Sequence, residues 1–410
     1  MAEPRIDQDR LVDWASQAIG TPSFTGSEQA MAELMRETFL DVGLHVQWQQ
    51  VEDGRANVLG IRDGVGGGPS LMFNGHMDTS YSGSEPWLRH VPGFQPSAFV
   101  EGGRLYGLGI SNMKGALACY VEALRALADA EVRLRGDVMI AAVSGEIEKT
   151  QYGDAVGAEY RGYAAGSRYL VSHGGVADMC ILGEPTESKL VLGHFGSLWL
   201  RISTQGPFIH TAFSEGKLSQ NSIVRMRDVL DAVLEWIPSW EDDPSNAYRG
   251  AKAIVNVGAL EGGFGWRVSR TPHRTDLFLD VRVPPTKEMA VARAQVMAMV
   301  RELAERFPEH GVEGEVYVTA PGAEIADDHA LVGALEAAHS EVFGSAPERD
   351  VTRWFSDASV LSRYGIATVN YGASTGLLDT VKGENMEIDG LVKTAEVYAR
   401  AAMKVCGVAE

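Results

Sequence analysis

The stretch Leu71 to Thr79, LMFNGHMDT, decides how the rest of the chain is read. It begins as an apolar run of strand type, breaks at Gly75, and delivers His76 and Asp78 two residues apart. Alternate side chains of an extended segment share a side, so an imidazole and a carboxylate at this spacing leave a sheet edge together. That pair suits a metal ligand and the acid beside it, although a capped strand end with a chance histidine has the same form.

The surrounding chain repeats the pattern. Helical spacing of apolar residues runs from Leu11 to Ile19 and from Gln29 to Val42, with strand-like runs at 56–62 and 70–73. A glycine-broken stretch ending in SNMKG at 111–115 predicts a helix opening near Ser111 or Asn112. The apolar run 137–143 ends in SGEIEK at 144–149, and the run 179–182 ends in GEPT at 183–186. Three strands therefore end in His76, Glu146 and Glu184, and in open α/β sheets the carboxyl ends of strands are where ligands bind. Strand followed by helix, repeated, indicates the α/β class.

The texture changes near residue 190. Alternating runs at 198–205, 253–257 and 275–283, with helical stretches at 220–236 and 287–307, form a β-α-β-β-α segment compact enough to be an inserted domain. The α/β pattern resumes from about residue 325 and ends in a helix from Ile388 to Val405. At 410 residues two domains are expected. They are drawn as an α/β catalytic domain at 1–190 and 312–410 and a second domain at 191–311.

Charge and composition exclude several classes. With 36 basic and 55 acidic residues the formal charge is −19, which argues against nucleic acid or an anionic membrane as partner. The charged start, MAEPRIDQDR, is unlike a signal peptide, and no apolar run reaches spanning length, so a soluble cytoplasmic protein is expected. Cys119, Cys180 and Cys406 are odd in number and widely spaced, so they read as buried small residues and not as disulfides or zinc thiolates.

GHMDT, SNMKG, SGE, GEPT and the SDA of 356–358 occur in the order and spacing of the acetylornithine deacetylase, succinyl-diaminopimelate desuccinylase and glutamate carboxypeptidase family, which the chain resembles over nearly its whole length. The resemblance implies a zinc-exopeptidase-like α/β domain with a central mixed sheet, an inserted α+β ferredoxin-like lid used for dimerisation, and amide hydrolysis by two zinc ions. It places a first-site metal ligand at His76, its carboxylate partner at Asp78, the general base at Glu146 and a first-site carboxylate at Glu184. The family's bridging aspartate falls on Asn112, its second-site glutamate on Ile147, and its late histidine on Thr380, four residues before Glu384. No histidine follows His339.

Two nearby divalent ions repel strongly and need a shared anionic ligand. Asn112 is neutral, Ile147 offers no oxygen and Thr380 only a hydroxyl, so the second site is expected to be lost, with Glu148 and Asp379 the only conceivable substitutes. One divalent ion per subunit, zinc or manganese, is then expected at His76 and Glu184, with Asn112 either a neutral third ligand or a helix N-cap. Glu146 has the residue type to take a proton from water, with Lys149 placed to keep it ionised.

Within GPFIHTAF at 206–213, His210 resembles the lid histidine that reaches a partner subunit's site and steadies an oxyanion. The run RVSRTP at 267–272 puts Ser269, flanked by Arg267 and Arg270, where the family binds substrate, and Arg282 matches a family arginine of similar purpose. These point to a carboxylate-bearing substrate. Trp354 and Phe355 either wall a flat substrate or pack in a core. The reading is a hydrolase of an amide-type carbon–nitrogen bond in a small molecule, an N-acyl amino acid or related carboxylate, acting as a homodimer or higher homo-oligomer. Its alternatives are an aminohydrolase of an aromatic amine or activated amide, and a noncatalytic binding descendant.

Overall fold

A computed structural model of the chain describes residues 3–373 and 382–410. Thr380 and Asp379 lie outside the described residues. The chain divides into two compact units, one of Met1–Gly193, Glu324–Asp350 and Ser356–Glu410, the other of His194–Ala323 and Val351–Phe355.

The first unit is built on a mixed sheet whose order runs His45–Glu52, Arg55–Arg62, Val138–Val143, Leu71–His76, Met179–Leu182, Ala367–Asn370, Leu190–His194, with short strands beyond. Leu71–His76 is parallel to Val138–Val143 on one side and to Met179–Leu182 on the other. Ala367–Asn370 continues the parallel set, and the two strands His45–Glu52 and Arg55–Arg62 join it antiparallel. Both Leu71–His76 and Val138–Val143 are buried along their whole length, as strands covered on two faces must be. That is why 71–73 and 138–143 read as continuous apolar runs.

Helices Gln8–Ile19, Gly115–Asp129, Ala330–Phe343 and Ile388–Cys406 pack with this sheet around one core that includes Phe73, Leu117, Tyr120, Leu335, Tyr371 and Tyr398. The helix that follows 111–114 starts at Gly115, three or four residues later than the sequence spacing predicts. Residues 110–114 instead form an irregular turn in which Asn112 has φ −138°, ψ 92°, and the Asn112–Met113 peptide is cis. Cys119, Cys180 and Cys406 are buried free thiols.

The second unit is a four-stranded antiparallel sheet in the order Val255–Gly262, Arg274–Val283, Gly196–Gln205, Glu313–Ala320. Along Arg274–Val283 burial alternates strictly, and its inward set (Leu277, Leu279, Val281, Val283) meets Met226, Val229 and Val233 of the helix Ser222–Glu241 and Val296, Met299 and Val300 of the helix Met289–Arg306. The boundary drawn at residue 311 is corrected here. Glu313–Ala320 hydrogen-bonds Gly196–Gln205 and completes a β-α-β-β-α-β unit. Without it the second edge of Gly196–Gln205 would carry unpaired backbone groups.

Among the described residues, no helix is long and apolar enough to cross a membrane.

Candidate active site

The parallel register converges the three strand ends. His76 is opposite Val143, so Asp78 and the turn Ser144–Gly145–Glu146 leave the sheet at one level. Asn74 is opposite Leu182, which brings Gly183 and Glu184 to the same edge. The result is a group of His76, Glu146 and Glu184, all buried, each offering a donor atom within 4.8 Å of the others. Among the described residues it is the one such group of three. His76 Nε2 stands 3.8 Å from Glu146 Oε2, 3.8 Å from Glu184 Oε1 and 2.8 Å from Asn112 Oδ1.

His76 Nδ1 lies 2.9 Å from the main-chain oxygen of Asp78 and Nε2 2.8 Å from Asn112 Oδ1; both oxygens accept, so both ring nitrogens donate, and only loss of the Nε2 proton turns a lone pair toward Asn112, Glu146 and Glu184. The Asp78 carboxylate, 3.5 Å from the ring, works mainly elsewhere. Its Oδ1 accepts from the Glu146 N–H at 3.0 Å, and its Oδ2 accepts from the Ile147 N–H at 3.3 Å and from Thr25 Oγ1 at 3.0 Å. Asp78 therefore fixes the backbone of the glutamate turn as well as facing the imidazole.

Electrostatically the group is rich in carboxylates. Burial, then the charge of Glu184, pushes the Glu146 carboxyl well above the usual range. Burial lifts Glu184 to about 7, partly offset by His76 and reinforced by Asp357. Asp357, to which the sequence reading gave no role, is itself held by burial at about 6. Burial alone would lower His76, but Asp78, Glu184 and Glu146 outweigh it and hold the imidazole well above its ordinary value. Glu184 Oε1 is buried with no hydrogen-bond partner among the described residues. Once the Nε2 proton leaves, a nitrogen lone pair, an orphaned carboxylate oxygen, a second carboxylate and a neutral amide oxygen converge on one point, and a divalent cation fits that set.

Two of the positions that the resemblance gives to a second ion lie among the described residues. Ile147 is buried and brings no oxygen, and Asn112 is uncharged. Glu148 does not join the ligand group. Two other expectations are corrected. Asn112 is not a helix cap, because its carboxamide oxygen faces His76 and the helix begins beyond it. Lys149 does not face Glu146; its ammonium donates to Ser80 O at 2.9 Å and sits 3.9 Å above the Phe24 ring, where its nearest charges are Asp78 and Glu85.

The remaining predicted residues lie in the second unit. His210 pairs with Arg270 in an isolated antiparallel bridge, and Thr211 N donates to Ser269 O at 3.0 Å, so the two runs singled out in the sequence are neighbours. His210 Nδ1 accepts from Ala212 N at 3.1 Å, which leaves the proton of the neutral ring on Nε2, the tautomer an oxyanion donor needs. Arg270 lies over the Phe208 ring, 5.4 Å from its centroid. Arg282 is engaged by the Asp280 carboxylate at 2.7 Å. Phe355 is buried edge-on against His194 at 5.9 Å between centroids, and Trp354 stacks with the same ring at 6.5 Å, which favours the packing account of both.

A model of the family described as peptidase family M20/M25/M40 matches residues 72–404. A succinyl-diaminopimelate desuccinylase from Alkalilimnicola ehrlichii is 27% identical over 405 residues, covering 94% of this chain and 96% of that protein. An acetylornithine deacetylase from Shigella sonnei is 27% identical over 330 residues, with 78% and 79% covered. Among solved structures, a tripeptidase from Staphylococcus aureus superposes with a TM-score of 0.76 at 19% identity over 98% of this chain and 99% of that one, a likeness of fold.

Proposed function

Because this chain belongs to peptidase family M20/M25/M40, we propose that it hydrolyses an amide-type carbon–nitrogen bond in a small carboxylate-bearing molecule, an N-acyl amino acid or a close analogue. The observation that carries this reading is the buried convergence of His76, Glu146 and Glu184 at parallel strand ends, with Glu184 Oε1 left without a donor among the described residues. The names of the two relatives, a desuccinylase and a deacetylase, support acyl removal.

One divalent ion per subunit, zinc or manganese, would be held by His76 and Glu184 with Asn112 as a neutral third donor. When bound, such an ion supplies a Lewis acid that polarises the scissile carbonyl and acidifies a water. Glu146 takes the proton from the attacking water and returns it to the departing nitrogen. Asp78 holds the Glu146 backbone so that the carboxylate stays at the strand edge. His210 of a second copy of the chain donates from Nε2 to the oxygen that gains charge, and Ser269, Arg270 and Arg282 receive the substrate carboxylate. Assembly as a homodimer through the second unit and work in the cytoplasm belong to this reading. Having no bridging carboxylate at Asn112 favours an aminohydrolase of an aromatic amine or an activated amide as the second reading.

The test is Glu146→Gln assayed on N-acyl amino acids and aromatic amides, beside elemental analysis of the purified protein. Turnover should fall by about 10³-fold or more with ion content unchanged. Full activity in that variant, or in protein stripped of divalent ions, would end the reading.

A further inference from the structure

Arg55 begins the strand Arg55–Arg62 with its guanidinium completely buried. It grips Glu28 with a two-toothed fork, Nε to Oε2 at 2.8 Å and Nη2 to Oε1 at 2.7 Å, and Glu28 is equally buried. Nη1 donates to Glu52 Oε1 at 2.7 Å and to the main-chain oxygen of Arg161 at 2.9 Å. Glu52 in turn receives Arg161 Nη1.

Both ends of this fork lead to the site. Glu28 closes the loop in which Thr25 Oγ1 donates to Asp78 and Thr25 N donates to Thr79 O at 3.3 Å. Arg161 begins the segment whose backbone runs beside the glutamate turn: Tyr163 N donates to Ile147 O at 3.0 Å, Ala165 N to Gly145 O at 2.9 Å and Gly166 N to Ser144 O at 2.8 Å. The two loops also touch directly, because a Cβ on Gly26 would come within 2.5 Å of Glu159 N. Gly145 itself, at φ +69°, leans on the guanidinium so closely that a Cβ there would stand 2.3 Å from Arg55 Nη2. Only glycine fits between Arg55 and Glu146.

Burying an ion pair is a poor source of net stability, since desolvation consumes most of the attraction. Resting on the assignment of Glu146 as base, we propose that Arg55, seated by Glu28, is a positioning residue that sets the Ser144–Lys149 turn and so aims the Glu146 carboxylate, without touching substrate or ion. A lysine cannot replace it, because one ammonium cannot hold the Glu28 fork and the Arg161 carbonyl together.

The experiment compares Arg55→Lys, Glu146→Gln and the two combined, with folding followed by circular dichroism and ion content by elemental analysis. A misplacement of the base of about 1 Å costs roughly 10²-fold, so Arg55→Lys should lose about that in kcat while KM and ion content stay within about threefold. In the Glu146→Gln background it should have no further effect on the residual rate. If Arg55→Lys does not fold, Glu28→Gln with Arg55→Met removes both charges at similar volume and is read in the same way. A folded Arg55 variant with kcat within threefold of the parent, with ions lost, or with an equal loss in the Glu146→Gln background overturns the proposal. Full turnover in Glu146→Gln alone instead removes the base assignment.

Discussion

Asn112→Asp probes the balance of charge at the site most directly. The amide oxygen stands 2.8 Å from His76 Nε2, beside two carboxylates that face the same point. Two unit charges about 4 Å apart in surroundings of effective dielectric about 20 interact by about 4 kcal/mol. In the ion-free protein a third carboxylate meets the His76 ring, held toward its charged form, as well as two carboxyls already pushed up by burial, so attraction and repulsion of this size oppose one another. With an ion bound, the same charge becomes an attraction, and ion affinity should rise by roughly 10- to 10³-fold, or about 1.4 to 4 kcal/mol. The assay is titration calorimetry of stripped protein with zinc or manganese, with stoichiometry by elemental analysis and melting curves with and without chelator. The ion should raise the melting temperature of the variant by more than it raises the parent's. The count should remain one per chain, because Ile147 still brings no oxygen, and His76→Ala should bind none. Affinity unchanged by the new carboxylate, or two ions in the unmodified chain, would refute the single-ion reading.

Two further outcomes follow from the geometry. His210→Ala should lower kcat by about 10²-fold with little change in KM, as loss of one oxyanion donor does, and mixing it with Glu146→Gln protein should restore part of the activity in verified heterodimers; no recovery there would place His210 outside the chemistry. Leu279→Ala, in the core of the second unit and 2% exposed, should cost about 2 to 5 kcal/mol of stability while leaving ion affinity unchanged, because every residue of the ligand group belongs to the first unit; calorimetry showing a lost ion would contradict that separation.

Much of the site was legible because it sits at strand ends, where sequence and geometry are closely tied. A buried parallel strand must be apolar throughout, so the polar residues that follow it mark its exit. His76, Glu146 and Glu184 each stand at such an exit, and the register of three strands brings them together. The strand His45–Glu52 was not legible. It is an edge strand whose one buried residue is polar, Gln49, while Val46 and Trp48 are only partly buried, and its place is set by pairing with Arg55–Arg62. The same cause hid Glu313–Ala320, whose membership in the second sheet rests on its ladder with Gly196–Gln205.

Position 112 shows where a motif stops being informative. The sequence identifies a neutral residue in place of an acid, and a cap and a ligand are equally consistent with it. Only the backbone decides, since the turn at 110–114 delays the helix to Gly115 and leaves the carboxamide facing His76. Ile147 is the reverse case. Its side chain was read as a lost ligand, yet its N–H remains bonded to Asp78 beside that of Glu146. The turn that carries Glu146 is thus anchored at both residues although position 147 brings no side-chain oxygen. The charges behind the turn were the least visible of all. Glu28 and Arg55 are 27 residues apart with nothing local to link them, and each alone reads as a surface charge. Their burial as a pair is a property of the packed loops, which only the folded chain brings together.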